Sequence, residues 1–377
     1  MYEVDLTDPS VIRDPFTAYD QAREAGPVVR LNIPGMPMWA LTRHEDARAM
    51  LTDPRFAITS SSFVGIPGVP EEYAPYLRTM SEMDGPDHLR LRRLAAPAFT
   101  GRRAQDYRPN VEPIVEKLLA GLPAEFDLVA DFARPLPMLV ICELMGIPAE
   151  DRAAWVEWGG IVADFDVARL GEAVPGIVEG AKALVAGRPT AGVLADLVRV
   201  EDRLTDTELI SLVWHIVLAG QTPANLIANA VAELWTRPDV LASLRAEPAL
   251  LPGAVDELMR WCGPQLLTVP RYAVSDVDLC GERIAAGEPV TVAIAAVNRD
   301  PRAFPDPDRF DVRRGAATHL GFGHGPHFCL GAAHARVQTE VALSALLARN
   351  LTLAVDPAEV RAPDPGTWRL TSLPVRV

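Results

Sequence analysis

Apolar residues recur at helical spacing along most of this chain and alternate only in short runs. That pattern predicts a mainly α protein with small β regions. Residues 14–26 read as an amphipathic helix opening at Asp14-Pro15 and closing at Gly26. Two short strands, 28–31 and 38–42, flank Ile33-Pro34-Gly35, and 44–51 returns to helix. Residues 107–121, 136–146 and 149–168 follow with helical period. The segment 205–235 reads as one long helix, apolar nearly all round and hence buried. Thr205 and Glu208 form its capping box. A further helix begins at Pro252, and strands at 277–279, 282–284 and 289–293 make a second β region.

Composition adds limits. The chain has 377 residues, 49% of them hydrophobic, and its 34 prolines are scattered between helices with no linker, so a single domain spanning 1–377 is expected. Cys142, Cys262, Cys280 and Cys329 lie far apart with no disulfide-framework spacing, which suits a reducing cytoplasm. The acidic N-terminus lacks the regions of a signal peptide. The longest apolar run, 212–220, is interrupted by His215 and falls short of the roughly 18 to 20 residues that span a bilayer, so no membrane is expected. A net charge of −14 argues against nucleic acid as a partner. Alanine- and glycine-rich 162–200 and Ser/Gly/Pro-containing 58–74 read as covers of a pocket, without naming its ligand.

One stretch carries chemistry: Phe322-Gly323-His324-Gly325-Pro326-His327-Phe328-Cys329-Leu330-Gly331, followed by a helix-forming segment. A cysteine at a helix mouth has its thiolate favoured by the helix dipole and the unpaired backbone N–H groups. Gly323 and Gly325 permit a tight turn, and Gly331 permits close approach of a flat ligand. No second cysteine lies near, which disfavours zinc or a redox pair. A lone thiolate facing a planar ligand suits haem iron. These ten residues match the signature F-G-x-G-x-H-x-C-x-G at every fixed position, and the chain resembles a bacterial cytochrome P450.

The resemblance implies the P450 fold, with haem b buried between the long central helix and the Cys329 loop, and Cys329 as the metal ligand. Phe322, Gly323 and Gly331 then contact the cofactor, and His88, Arg92, Arg271 and His327 bind its propionates. Gly85 stands where the family more often has proline. Glu257, Arg260 and Arg309 are implied to form a buried ion network. The family's acid–threonine pair in the long helix falls at Gln221-Thr222, the register that keeps Asn225 and Glu257 at their usual spacing. The acid is therefore an amide, which can orient water but cannot ionise. Pro223 removes an N–H from the helix and is expected to open it beside Thr222. Trp214, His215, Leu218, Leu267, Thr268, Val269 and Leu370 are candidate pocket residues, although a satisfied core histidine explains His215 equally well.

The implied activity is P450 oxidation of a small secondary metabolite with O2 and two electrons, by hydroxylation or epoxidation. Gln221 and Pro223 also allow oxidative aromatic coupling of a small peptide or carrier-bound amino acid without net oxygen insertion. A non-catalytic haem or docking module has no need for an intact thiolate motif. Electrons would come from a ferredoxin with its reductase, steered by Arg90, Arg93, Arg302, Arg313 and Arg314.

Overall fold

The chain opens with a strand its periodicity does not announce, β1 (Glu3–Asp5), then α1 (Pro9–Arg13). With one buried residue, Val4, β1 offers no alternation to read; it is held by parallel pairing with β2 (Val28–Asn32). Between them runs α2 (Pro15–Ala25). Asp14 accepts the Thr17 N–H at 3.2 Å, and Pro15 sits where a missing N–H costs nothing. β3 (Met38–Leu41), α3 (His44–Thr52), β4 (Phe56–Ala57), α4 (Ala74–Leu77), α5 (Gly85–Ala95) and α6 (Gly101–Ala120) follow. Next come β5 (Glu125–Asp127), α7 (Pro135–Met145), α8 (Arg152–Ala163), α9 (Leu170–Ala186) and α10 (Gly192–Val198). The central segment gives α11 (Asp206–Ala219) and α12 (Pro223–Trp235), then α13 (Pro238–Ala246) and α14 (Leu251–Cys262). The chain finishes with β6 (Arg271–Ala273), β7 (Val277–Leu279), β8 (Glu282–Ile284), β9 (Pro289–Val292), α15 (Ile294–Val297), α16 (Ala332–Leu347), β10 (Thr352–Leu353) and β11 (Pro374–Arg376).

This computed structural model describes residues 1–33, 35–63, 65–199, 204–314 and 318–377. The chain folds as two compact units, each assembled from separate segments. The first comprises Met1–Phe63, Ala228–Cys329 and Leu353–Leu373. Its sheet runs β1-β2-β3-β9-β6-β4, with Val290 of β9 opposite both Trp39 and Arg271. Leu41, Phe56, Ile284 and Val292 are among the buried residues of its core. The second comprises Val64–Ile227, Leu330–Thr352 and Pro374–Val377 and is mostly helical. There Gly176 and Gly180 of α9 lie against the Trp158 and Trp155 rings of α8, where a Cβ would come within 2.6 and 2.5 Å. Only glycine admits two indoles at that spacing.

The expected single helix at 205–235 is broken. Its capping box forms as read, with the Glu208 N–H donating to Thr205 Oγ1 (3.2 Å) and the Thr205 N–H to Glu208 Oε2 (2.8 Å). α11 nevertheless stops at Ala219, and residues 220–222 turn before α12 starts at Pro223. Proline cannot donate to the carbonyl of Ala219. The Thr222 hydroxyl (3.0 Å) and N–H (3.4 Å) donate to it instead. The expected opening beside Thr222 is thus closed by Thr222 itself. Counted across the break, Asp206–Trp235 is the one stretch among the described residues long and apolar enough to cross a membrane. Its most apolar window has a mean hydropathy of 1.2 and is half buried in the protein.

The ion network of the first unit differs from expectation in one member. Glu257 and Arg260 make a bidentate pair (Nε–Oε2 2.7 Å, Nη2–Oε1 2.8 Å), both buried. The third cation is Arg314, 11% exposed, whose Nε donates to Glu257 Oε1 at 3.1 Å. The Arg309 side chain is 70% exposed and lies 3.7 Å from Asp311. Its contribution is its carbonyl, which accepts from Arg314 Nη2 at 2.6 Å. The 309–314 turn points one arginine outward and the other inward, which sequence order does not reveal. Arg309→Ala is therefore expected to unfold within about 0.5 kcal/mol of wild type. Arg260→Ala takes from the buried Glu257 carboxylate its bidentate partner and the donor to Oε2, and costs roughly 3 to 5 kcal/mol. Denaturant titration of both variants checks this, and equal losses would refute the assignment.

Candidate functional site

In the first unit the Cys329 loop is shaped by backbone bonds. Gly323 (φ 73°) and Gly325 (φ 72°) take left-handed conformations that favour glycine. The Cys329 N–H donates to the Phe322 carbonyl (2.8 Å), and the Phe328 N–H to that of Gly325 (3.0 Å). Asn298, itself buried, accepts the Leu320 N–H at 2.7 Å and fixes where the loop begins. Cys142 and Cys262 are buried, and burial pushes the first thiol up to about 12 and the second well above its ordinary value. Cys280 is exposed at the β7–β8 turn and is pushed up to about 11, by burial and then by Asp46. Cys329 is exposed at the end of the glycine turn, beside the exposed Phe328 ring. Arg271 is buried on β6, and His327 lies half-buried two residues before Cys329.

In the second unit Asp84 caps α5 by accepting the Gly85 N–H at 2.9 Å. Gly85 has φ +64°, a value proline cannot adopt, which accounts for the departure from the family's residue. His88, 1% exposed, and Arg92 share one face of α5. Burial first, then the charges of Arg92 and His88, hold His215 down at about 4. His215 Nε2 lies 2.9 Å from the hydroxyl of Ser81. Ser81 escaped sequence reasoning because nothing in a polar loop marks which serine reaches a helix. His215 and Leu218 fall at positions i and i+3 of α11, and Leu218 is 42% exposed. Trp214 is 1% exposed, a core residue of this unit, and that packing corrects its candidacy for the pocket wall.

Gln221 is also turned inward, 7% exposed. Its Nε2 donates to the carbonyls of Gly159 on α8 (2.8 Å) and Val217 on α11 (3.1 Å). Both amide donors are engaged.

Comparison with known proteins fits this geometry. Residues 193–376 match the family model for cytochrome P450. The chain is 40% identical to the cytochrome P450 monooxygenase PikC of Streptomyces venezuelae over 96% of its length and 91% of that protein's. It is 40% identical to the mycinamicin IV hydroxylase/epoxidase of Micromonospora griseorubida over 91% of this chain and 90% of that one. The chain belongs to the cytochrome P450 family. Among solved structures, the P450 PksS of the Bacillus subtilis bacillaene polyketide synthase superposes with a TM-score of 0.89 at 31% identity, covering 98% of each chain. The ligand-free P450 monooxygenase TamI gives 0.90 at 35% identity, covering 99% of this chain and 94% of that one.

As a P450, the protein is a haem-dependent monooxygenase of the secondary-metabolism type. Its donor set fits that cofactor: the exposed Cys329 thiol, an adjacent aromatic ring, a buried arginine and a histidine. A Cβ at Gly331 would meet nothing within 4 Å among the described residues, so a flat group has room there. Of the remaining candidates, Leu267 is half-buried and Val269 exposed, while the Thr268 hydroxyl accepts the Val292 N–H at 3.0 Å. Leu370 is buried and bridges to Arg361, which leaves it inside the first unit's packing. The arginines expected to steer an electron donor are largely neutralised. Arg90 pairs with Glu208 (2.7 Å), Arg302 with Asp300 (3.0 Å), Arg313 with Glu247 (2.9 Å), and Arg314 is committed to Glu257.

Two outcomes follow for this P450. Gly325 has Leu51 O 2.9 Å from where a Cβ would sit, so Gly325→Ala should cost about 1–3 kcal/mol and lower haem content. Thermal melts with haem quantitation test this. The unfolded His215 imidazole titrates near 6.5, above its folded value, so protonation favours unfolding. The stability tied to neutral His215 is full above about pH 6.5 and is lost as pH falls toward 4. His215→Phe should flatten part of the acid-side slope of melting temperature; an identical slope would refute it.

Proposed function

We propose that this P450 hydroxylates or epoxidises a small secondary-metabolite scaffold in the cytoplasm, with electrons from a ferredoxin and its reductase. The observation that carries the reading is near-full-length likeness to a protein named as a mycinamicin IV hydroxylase/epoxidase, together with the complete Cys329 loop. A further relative is named 6-deoxyerythronolide B hydroxylase. Haem b, when bound, supplies the activation of dioxygen. In the first unit Cys329 would ligate the iron, Phe322 and Gly323 would shape the loop, and Arg271 and His327 would take propionate oxygens. His88 and Arg92 would also take propionate oxygens, and Gly331 would leave the cofactor room. Thr222 would offer a hydroxyl toward dioxygen after exchanging its bond to the Ala219 carbonyl. Leu218 and His215 would contribute an apolar and a polar contact to substrate, and Leu267, Thr268 and Val269 are proposed as further contacts. Leu370, 3% exposed, would support the neighbouring packing rather than touch substrate.

The test incubates the haem-loaded protein with ferredoxin, its reductase, and mycinamicin IV or 6-deoxyerythronolide B, with products weighed by mass spectrometry. A gain of one oxygen is expected. Loss of two hydrogens from an aromatic peptide under the same conditions would move the reading to oxidative coupling. Cys329→Ala should lose turnover together with the strongly red-shifted absorbance band of the reduced carbon monoxide complex. Full turnover in that variant would end the proposal.

A further inference from the structure

We propose that Gln221 is a positioning residue, an amide strut that ties the turn carrying Thr222 to helix α8, and that it takes no part in proton delivery. The inference rests on the P450 register that puts Gln221 where the family usually has an acid. Three observations support it, all within the second unit.

The first is donor count. A primary amide offers two N–H groups and one carbonyl. Both N–H groups are used, on Gly159 O at 2.8 Å and Val217 O at 3.1 Å. A carboxylate at this place would set acceptor against acceptor twice, in a position that is almost wholly buried. The amide therefore suits a different set of partners from those an acid would need.

The second is the fit of α8. A Cβ on Gly159 would lie 3.3 Å from Gln221 Oε1 and 2.8 Å from the Met138 sulfur of α7. Glycine is what lets the α8 backbone come close enough to accept the amide.

The third is the state of the break. Pro223 leaves the Ala219 carbonyl without its helical donor, and the Thr222 hydroxyl takes that bond at 3.0 Å. Gln221 holds one side of the turn and Thr222 closes the other. A displacement of α8 is then carried through one side chain to the hydroxyl that follows it in sequence.

The test uses the haem-loaded protein with Gln221→Glu and Gln221→Leu. Facing two carbonyls, the introduced carboxyl keeps its proton in the fold, so its folded pKa stands above the ordinary ~4.3. Above that pH the unfolded chain releases a proton that the folded chain retains, and stability falls as pH rises toward the folded pKa. The melting-temperature deficit of Gln221→Glu against wild type should widen by at least about 3 °C between pH 5 and pH 8. A deficit that stays flat over that range would mean the carboxyl reaches water, as a relay member must, and overturns the strut. Gln221→Leu should speed amide hydrogen exchange at the end of α8 by tenfold or more, with the carbon monoxide band intact. Unchanged exchange there overturns the proposal even where Gln221→Glu fails to accumulate. Absence of the carbon monoxide band from wild type would instead count against the haem-thiolate reading, which keeps the two failures distinct.

Discussion

A buried carboxylate, that of Glu257, organises the first unit. Its two oxygens accept from Arg260 Nε and Nη2, Arg314 Nε and the Asp311 N–H. Placing an ion in the interior costs several kcal/mol, and only full pairing offsets it. Arg260 in turn donates to the carbonyls of Asn298 and Pro307, each at 2.9 Å. The Asn298 side chain then accepts the Leu320 N–H, just before the glycine turns that deliver Cys329. The thiol's position is thus inherited through a sequence of hydrogen bonds that begins on α14. A loop rich in glycine would otherwise have too much freedom to hold one side chain in place.

The second unit solves a different problem, a proline inside a long apolar helix. Removing one N–H leaves one carbonyl to satisfy, and a buried carbonyl without a donor is expensive. The residues around Pro223 answer locally: Thr222 supplies the hydroxyl, and Gln221 turns its amide to α8. The result is two helices joined by a three-residue turn, with Leu218 left partly exposed and Trp214 packed away. Hydroxyl and amide here serve the backbone first, and any role toward dioxygen has to be won from those bonds.

Surface charge shows how little an arginine count says about docking. The arginines named from family layout mostly carry carboxylate partners, including Glu208, Asp300 and Glu247. Exposed pairs of this kind contribute little to stability but offset the positive charge locally around each arginine.

The sequence by itself determined the family and the helical class with its small strands, because these rest on spacing within short segments. The Thr205–Glu208 box, the Asp14 cap and strands 277–279 and 282–284 are likewise local, settled within a few residues. Tertiary structure decided whatever depends on which of several chemically equal groups points inward. Arg314 rather than Arg309 meets Glu257, Ser81 reaches His215, β1 exists by pairing with a strand 27 residues away in register, and Gln221 faces α8. Those choices are made by the direction of a turn or the closeness of a distant backbone, and no period or motif in a linear chain carries either.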